Sequence, residues 1–208
     1  MRVYHFLSTE FGLKDLREKR LKVSELNRLN DPFEFFGMDL SDPIVRKAMK
    51  KTKSQLSKSS GLICFSKNWR NPVQWAHYGD SHKGICLGFD VPDELLNKVD
   101  YVDDRIDYQG GFSVEDMFKL LTTKFKHWSF EEEHRIFVDL QGKEDGLYYL
   151  PFGPNLKLQQ VIIGASSKAT RQQVLDSLGS SGGVEIFKAR AAFKSFDIVR
   201  NRAYDEFA

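Results

Sequence analysis

Residues 61–90 read GLICFSKNWRNPVQWAHYGDSHKGICLGFD, and the fold class turns on this stretch. GLICFS at 61–66 is a short apolar run of the kind that forms a buried strand. Asn71 followed by Pro72 predicts a short helix over PVQWAHYG, because an asparagine side chain caps free amides and proline suits the first turn. KGICLGFD at 83–90 is a second buried strand, with glycines where a backbone or ligand can approach closely. Upstream, Val3–Leu7 reads as a strand, Phe11, Leu13 and Leu16 as a short helix, and LKVSE at 21–25 as another strand. Ser41 with Pro43 starts a basic helix running through Leu56. Downstream, VDYVDDRIDY at 99–108 is a polar strand near an edge, and Ser113 opens a helix through Met117, Leu120, Leu121 and Phe125. EEHRIFVDL, LYYLPF, LQQVIIG, VEIFKAR and FDIVRNR are strand candidates, with one helix at 168–178 and a loop at LGSSGG, 178–183. Runs of strands with a few helices, rather than strict alternation, predict an α+β fold. No linker divides residues 1–208, so one domain is expected.

At 208 residues the chain can bury most of its apolar surface without disulfides or a structural metal. Its 17 phenylalanines predict an aromatic-rich core and a flat apolar cleft for a ring-bearing ligand. Net charge is +2, yet bases crowd 14–22 and 46–58 while acids concentrate at 90–107 and 131–133. Such a molecule can meet a polyanion locally while staying near neutral overall. MRVYHFLSTEF lacks the apolar core of a signal peptide, and no apolar run is long enough to span a membrane. A cytoplasmic protein without membrane contact is expected. Cys64 and Cys86 read as reduced thiols in strands; with His77 and His82 they lack zinc-ligand spacing, so no metal is expected.

WSFEEEHRI at 128–136 is the sharpest chemical box. If a strand begins at Glu131, then Glu131, Glu133 and Arg135 share one face, successive residues lying roughly 7 Å apart. Ile136, Val138 and Leu140 then face the core. One carboxylate could grip a ligand hydroxyl while the other addresses a nucleophile; alternatively the box is a solvated acidic strand end. In NDPFEF at 30–35, Asp31 suits a structural turn, while Asn30, Asp31 and Glu34 could instead line a site. In the stretch 66–89, Ser66, Arg70, Trp75 and Tyr78 are candidates to bind a nucleotide, Arg70 holding a phosphate. Trp75 and Tyr78 at helical spacing equally suit core packing. On the first strand His5 shares a face with Val3 and Leu7, and Tyr4 lies with Arg2, Phe6 and Ser8 on the wetter face. The basic helix carries Lys47, Lys50 and Lys51 among six cations without an interleaved acid, which suits nucleic-acid phosphates.

The order of boxes, YHFLS, NDPFEF, CFSKNWRNPVQWAHYGDSHKGICLGFD, WSFEEEHRI and LQQVIIG, resembles a bacterial and phage family known only as a domain of unknown function. Its marks are an Asn-Asp-Pro box and a Trp-x-x-Glu-x-Glu box. The layout is also similar to ADP-ribosyltransferases: a first strand with an aromatic residue or histidine, a strand ending in Phe-Ser, and a late Glu-x-Glu. That resemblance implies a split mixed or antiparallel sheet with peripheral helices, clamping NAD as substrate. It further implies Glu133 as the residue that holds the nicotinamide ribose, Glu131 as the acceptor-orienting residue, and Tyr4 or His5 on the adenosine-side ribose. By the same likeness Ser66 supports Glu133, and Tyr78 or Trp75 packs on the nicotinamide. The acceptor would be a nucleic acid or protein, and the setting a toxin or antiphage-defence effector with an antitoxin or chaperone partner. Two other readings stay open. One is a metal-dependent nuclease using Asp31, Glu34, Glu131 and Glu133 around magnesium; the other is a non-enzymatic nucleotide-binding or partner-binding module of a defence system.

Overall fold

The apolar runs of the sequence become neighbours in one ten-stranded sheet. The structure is a computed structural model that describes residues 1–107, 113–179 and 182–206. In chain order the elements are β1 (Arg2–Leu7), α1 (Thr9–Glu18), β2 (Arg20–Glu25), α2 (Pro43–Ser59), β3 (Ser60–Ser66), α3 (Pro72–His77), β4 (Ile85–Asp90), β5 (Asn97–Lys98) and β6 (Asp100–Val102). There follow α4 (Val114–Leu121), β7 (Thr123–Phe125), β8 (Glu133–Asp139), β9 (Tyr148–Pro151), β10 (Lys157–Ile163), α5 (Arg171–Leu178), β11 (Glu185–Ala191), β12 (Ile198–Arg200) and α6 (Arg202–Glu206). The sheet runs β12-β11-β10-β4-β1-β3-β2-β9, with β8 beside β3, β5 on the far edge of β8, and a separate β6-β7 pair. Pairing is antiparallel except for β10 with β11 and β6 with β7. The α+β expectation therefore holds, with a mixed, mostly antiparallel sheet.

Central strands are buried on both faces, as their continuous apolar runs require. Along β4, Ile85, Leu87 and Phe89 enter one core with Val3, Ile63, Phe65 and Val161. Leu16 of α1 and Val174 of α5 cover that face. Cys86 enters a second core with Phe6, Trp75, Ile162 and Phe187. Phe6 meets Trp75 edge-on, ring centroids 5.1 Å apart, so the face of β1 expected to be wet is instead capped by α3. A third cluster gathers Phe35, Met38, Met49 and Leu120 between α2, α4 and the NDPFEFF loop.

Several boundaries differ from the sequence reading for local reasons. Asp42, not Ser41, caps α2 by accepting from the Ile44 and Val45 amides. The fourth helix stops at Leu121 rather than Phe125. The Thr122 and Thr123 hydroxyls donate back to the Lys119 carbonyl, and the chain turns into β7. The strand expected at 99–108 is broken, with only Asp100–Val102 pairing to β7. FDIVRNR keeps only Ile198–Arg200 as strand. Tyr108 of the 99–108 segment and Ser180 and Ser181 of the LGSSGG loop lie outside the described residues. Among the described residues no helix is long and apolar enough to cross a membrane.

Candidate functional site

The two edges of β3 are used differently, and a cavity follows from that difference. One edge pairs with β8 along its whole length, from Ser60↔Asp139 to Ser66↔Glu133. The other edge is shared: β2 pairs at Gly61 and Leu62, and β1 pairs only at Tyr4↔Ser66. Between these contacts the edge opens. His5 fills part of the gap, its Nδ1 donating to the Cys64 carbonyl at 2.8 Å. Burial holds the imidazole below its ordinary pKa, against the pull of that bond, and favours the neutral ring. A cavity of about 210 Å³ lies in the opening, lined by Tyr4, His5, Ser66, Tyr78, Glu131 and Glu133, with Lys124 and Glu34 on its floor.

The two glutamates reach this cavity by a turn and not by strand alternation. Residues Lys126–Glu131 form a tight 3₁₀ turn, Glu132 takes a left-handed conformation at φ 44°, and β8 begins only at Glu133. Gln74 anchors the turn by donating to the Glu131 carbonyl at 2.7 Å, and Asn71 donates to the Phe130 carbonyl at 3.0 Å. Both carboxylates then converge on Lys124. Its Nζ lies 2.6 Å from Glu131, 3.3 Å from Glu133 and 3.5 Å from Glu34. Arg135, at 0 % exposure, donates from every guanidinium nitrogen: Nε and Nη2 to Glu133, Nη1 and Nη2 to Glu34, and Nη1 to the Leu121 carbonyl. That uses the full donor fork of the side chain.

Three acids and two bases share this buried cluster, and their environments drive Glu131 and Glu133 apart. Burial favours the neutral form of Glu133, but Arg135 and Lys124 outweigh it and hold its carboxyl at about 2. Burial wins at Glu131 and raises its carboxyl, against the opposing pull of Lys124. Tyr78 donates a short hydrogen bond to Glu131 and accepts one from Asn30 Nδ2 at 2.9 Å. Desolvation and the Glu131 charge push the Tyr78 phenol well above its usual range. The Tyr101 hydroxyl accepts from the Glu133 amide at 2.8 Å, fixing the start of β8. The chemical result is an ionised carboxylate beside a more basic one, 3.3 and 2.6 Å from a shared ammonium at a cavity wall.

Several candidates sit elsewhere. Arg135 is sealed behind the cavity and orients Glu133 and Glu34, so it is a positioning residue. Trp75 is core, its indole donating to the Trp69 carbonyl. Arg70 is exposed and pairs with Asp197 at 3.3 Å, outside the cavity lining. Ser66 lines the cavity, but its hydroxyl bonds to the Asn68 backbone and not to Glu133. Lys47, Lys50 and Lys51 lie on the exposed face of α2, while their neighbour Lys53 reaches the Glu34 carbonyl at 2.7 Å. Asp31 is buried and accepts from the Phe33 amide, the turn role. It also borders a second cavity of about 310 Å³ that shares Glu34 and Lys124 with the first.

Lys124, Gln74 and Tyr101 were not legible as site residues. Lys124 lay inside a segment with helical periodicity; the signal against that was the Thr122-Thr123 pair, whose hydroxyls compete for helix carbonyls. Desolvation, with Glu133 close by, raises the thiol pKa of half-buried Cys64, and Cys86 lies in the second core. Among the described residues no group of three or more His, Cys, Asp or Glu side chains is placed to hold a metal ion. No family model matches the chain, and no curated protein or solved structure does either.

Proposed function

We propose that the cavity between β1 and β3 is the active site of an NAD-dependent ADP-ribosyltransferase-like enzyme. The observation that carries the reading is the opening of the sheet beside Tyr4↔Ser66, with Glu131 and Glu133 on its wall. Breaking the bond between the nicotinamide nitrogen and ribose C1′ sends the electron pair to nicotinamide and leaves positive charge on the ribose. Glu133, ionised throughout the neutral range, is suited to stabilise that charge through fixed electrostatics. The acceptor, a nucleic acid or protein nucleophile, then bonds to C1′ and gives its proton to Glu131, the more basic carboxylate. Tyr78 and Lys124 hold Glu131 in place, and Tyr4 and His5 border the ribose-binding wall. At about 210 Å³ the cavity falls below the roughly 300–1,000 Å³ of a typical ligand pocket. It suits the nicotinamide–ribose end, with the remainder of NAD across the open sheet edge.

A magnesium nuclease is the weaker reading, because the Lys124 ammonium stands where Glu34, Glu131 and Glu133 converge and a cation would have to displace it. One observation favours a binding module: each of the three carboxylates already has a buried cationic partner. Turnover separates these readings. Purified protein is incubated with labelled NAD, alone and with bacterial RNA, DNA or lysate, beside Glu131→Gln and Glu133→Gln. Nicotinamide release or label transfer lost in both variants supports the transferase, and the labelled fraction names the acceptor. No turnover and no shift of Tm with NAD overturns it. Cutting that needs magnesium and not NAD would install the nuclease instead.

A further inference from the structure

The hairpin joining β11 to β12 carries a feature that the cavity chemistry does not use. Phe193 and Phe196 are 89 % and 98 % exposed, although folding normally withdraws rings of this size from water. They stand among cations. Residues 186–202 hold Lys188, Arg190, Lys194, Arg200 and Arg202 against one acid, Asp197. That acid is already engaged, accepting from Arg70 at 3.3 Å and from Ser195 at 2.7 Å. Arg190 lies over the Phe193 ring, 4.2 Å from its centroid. Among the described residues Arg190, Lys194 and Arg202 have no carboxylate partner. The surface is also concave: a groove of about 680 Å³ is bordered by Arg190, Phe193, Lys194, Arg200 and Arg202.

We infer that this hairpin groove is a docking surface for single-stranded nucleic acid, with Phe193 and Phe196 as stacking platforms and Arg190, Lys194 and Arg202 as phosphate contacts. An electropositive groove interleaved with exposed rings is what an unpaired strand requires, since bases stack on aromatics only when splayed out. A duplex keeps its bases stacked and would use the cations alone. A bilayer would meet a convex apolar face, whereas here Phe193 borders the groove, Phe196 borders a neighbouring hollow that Phe193 shares, and Lys194 and Ser195 separate the two rings. The hairpin is braced against the α3 region: the Ile198 amide donates to the Arg70 carbonyl at 2.8 Å and Trp69 packs edge-on against Phe187. The surface is therefore held by the same segment, 66–78, that supplies Ser66 and Tyr78 to the cavity.

The test is fluorescence anisotropy of the full chain, without NAD, on labelled oligo-uridine and oligo-thymidine of about 10 nucleotides. Its outcome is independent of whether the cavity transfers ADP-ribose. Binding is expected to weaken at least about tenfold in Phe193→Ala/Phe196→Ala. In Lys194→Glu/Arg202→Glu it should weaken with a salt slope reduced by about one or more. Duplex of equal length should bind less tightly and be indifferent to the Phe changes. All four side chains are at the surface, so an unchanged Tm verifies the fold. Unchanged affinity in both double variants overturns the inference. So does loss of binding only in Lys47→Ala/Lys50→Ala/Lys51→Ala, which would move the contact to α2. Association with phosphatidylserine vesicles but with neither oligonucleotide would make the hairpin a membrane contact and equally overturn it.

Discussion

At the level of single residues the cluster is a matter of who neutralises whom. Lys124 faces three carboxylates, and removing one partner of a buried ionic group leaves uncompensated charge, a loss of about 3–5 kcal/mol. Lys124→Met should therefore lower stability by about that amount in chemical denaturation; a loss below about 1 kcal/mol would mean that water, not Lys124, compensates the acids. Glu133→Gln is not a silent probe of chemistry. An amide cannot replace the charge that Arg135 and Lys124 grip, so Tm should fall together with activity. Glu131→Gln and Tyr78→Phe leave the Glu133–Arg135–Glu34 contacts intact and are the cleaner probes of chemistry. The pH dependence has a fixed sign. Glu133 titrates at about 2 when folded against an ordinary 4.5, so its stabilisation is complete above 4.5 and is lost as pH falls towards 2. The wild-type decline in Tm over that window should be shallower in Glu133→Gln, and parallel curves would remove Glu133 as its source. The meeting of Glu131, Glu133 and Arg135 was legible, but by an argument that fails in detail: alternation requires Glu131 in a strand, and the left-handed Glu132 does that work instead.

Elements show where local pattern suffices and where side chains overrule it. Apolar runs such as GLICFS and VII are short enough to favour buried strands, and they form them. The helix opening at Ser113 was legible from its cap, which the structure completes with Asp116 as a capping box. Its end was not, because two threonine hydroxyls decide it. Helix α1 presents a separate case. Asp15 lies on its buried side among Leu16 and Gly12, and burial, aided by nearby Glu18, raises its carboxyl to about 7. A folded-state value above the ordinary 3.8 means the protein is relatively favoured below 3.8, and that advantage is lost as pH rises through 7. Asp15→Asn should thus raise Tm at pH 8 and change it far less at pH 4. An equal shift at both pH values would show that the effect is packing and not ionisation.

Over the whole molecule the decisive feature is the shared edge of β3, which no local pattern encodes. Sequence distinguishes strands from helices through periodicity, but the choice that puts β1 and β2 on the same edge depends on pairings dozens of residues apart. Nothing in the apolar runs of β1, β2 or β3 signals where that edge opens. Its integrity rests on a few contacts, since β1 and β3 meet at Tyr4↔Ser66 and through His5. If the opening is held in shape by that imidazole, His5→Leu leaves the Cys64 carbonyl buried without its partner, at about 1–3 kcal/mol. Stability should fall by that amount. Amide exchange should rise in residues 63–66 and 3–7, while β10 and β11, which lie beyond β4 in the sheet, keep their protection. Protection lost evenly across the sheet would instead mean that β1 and β3 unfold only with the whole, and that the opening is a rigid part of the fold rather than a seam held by one side chain.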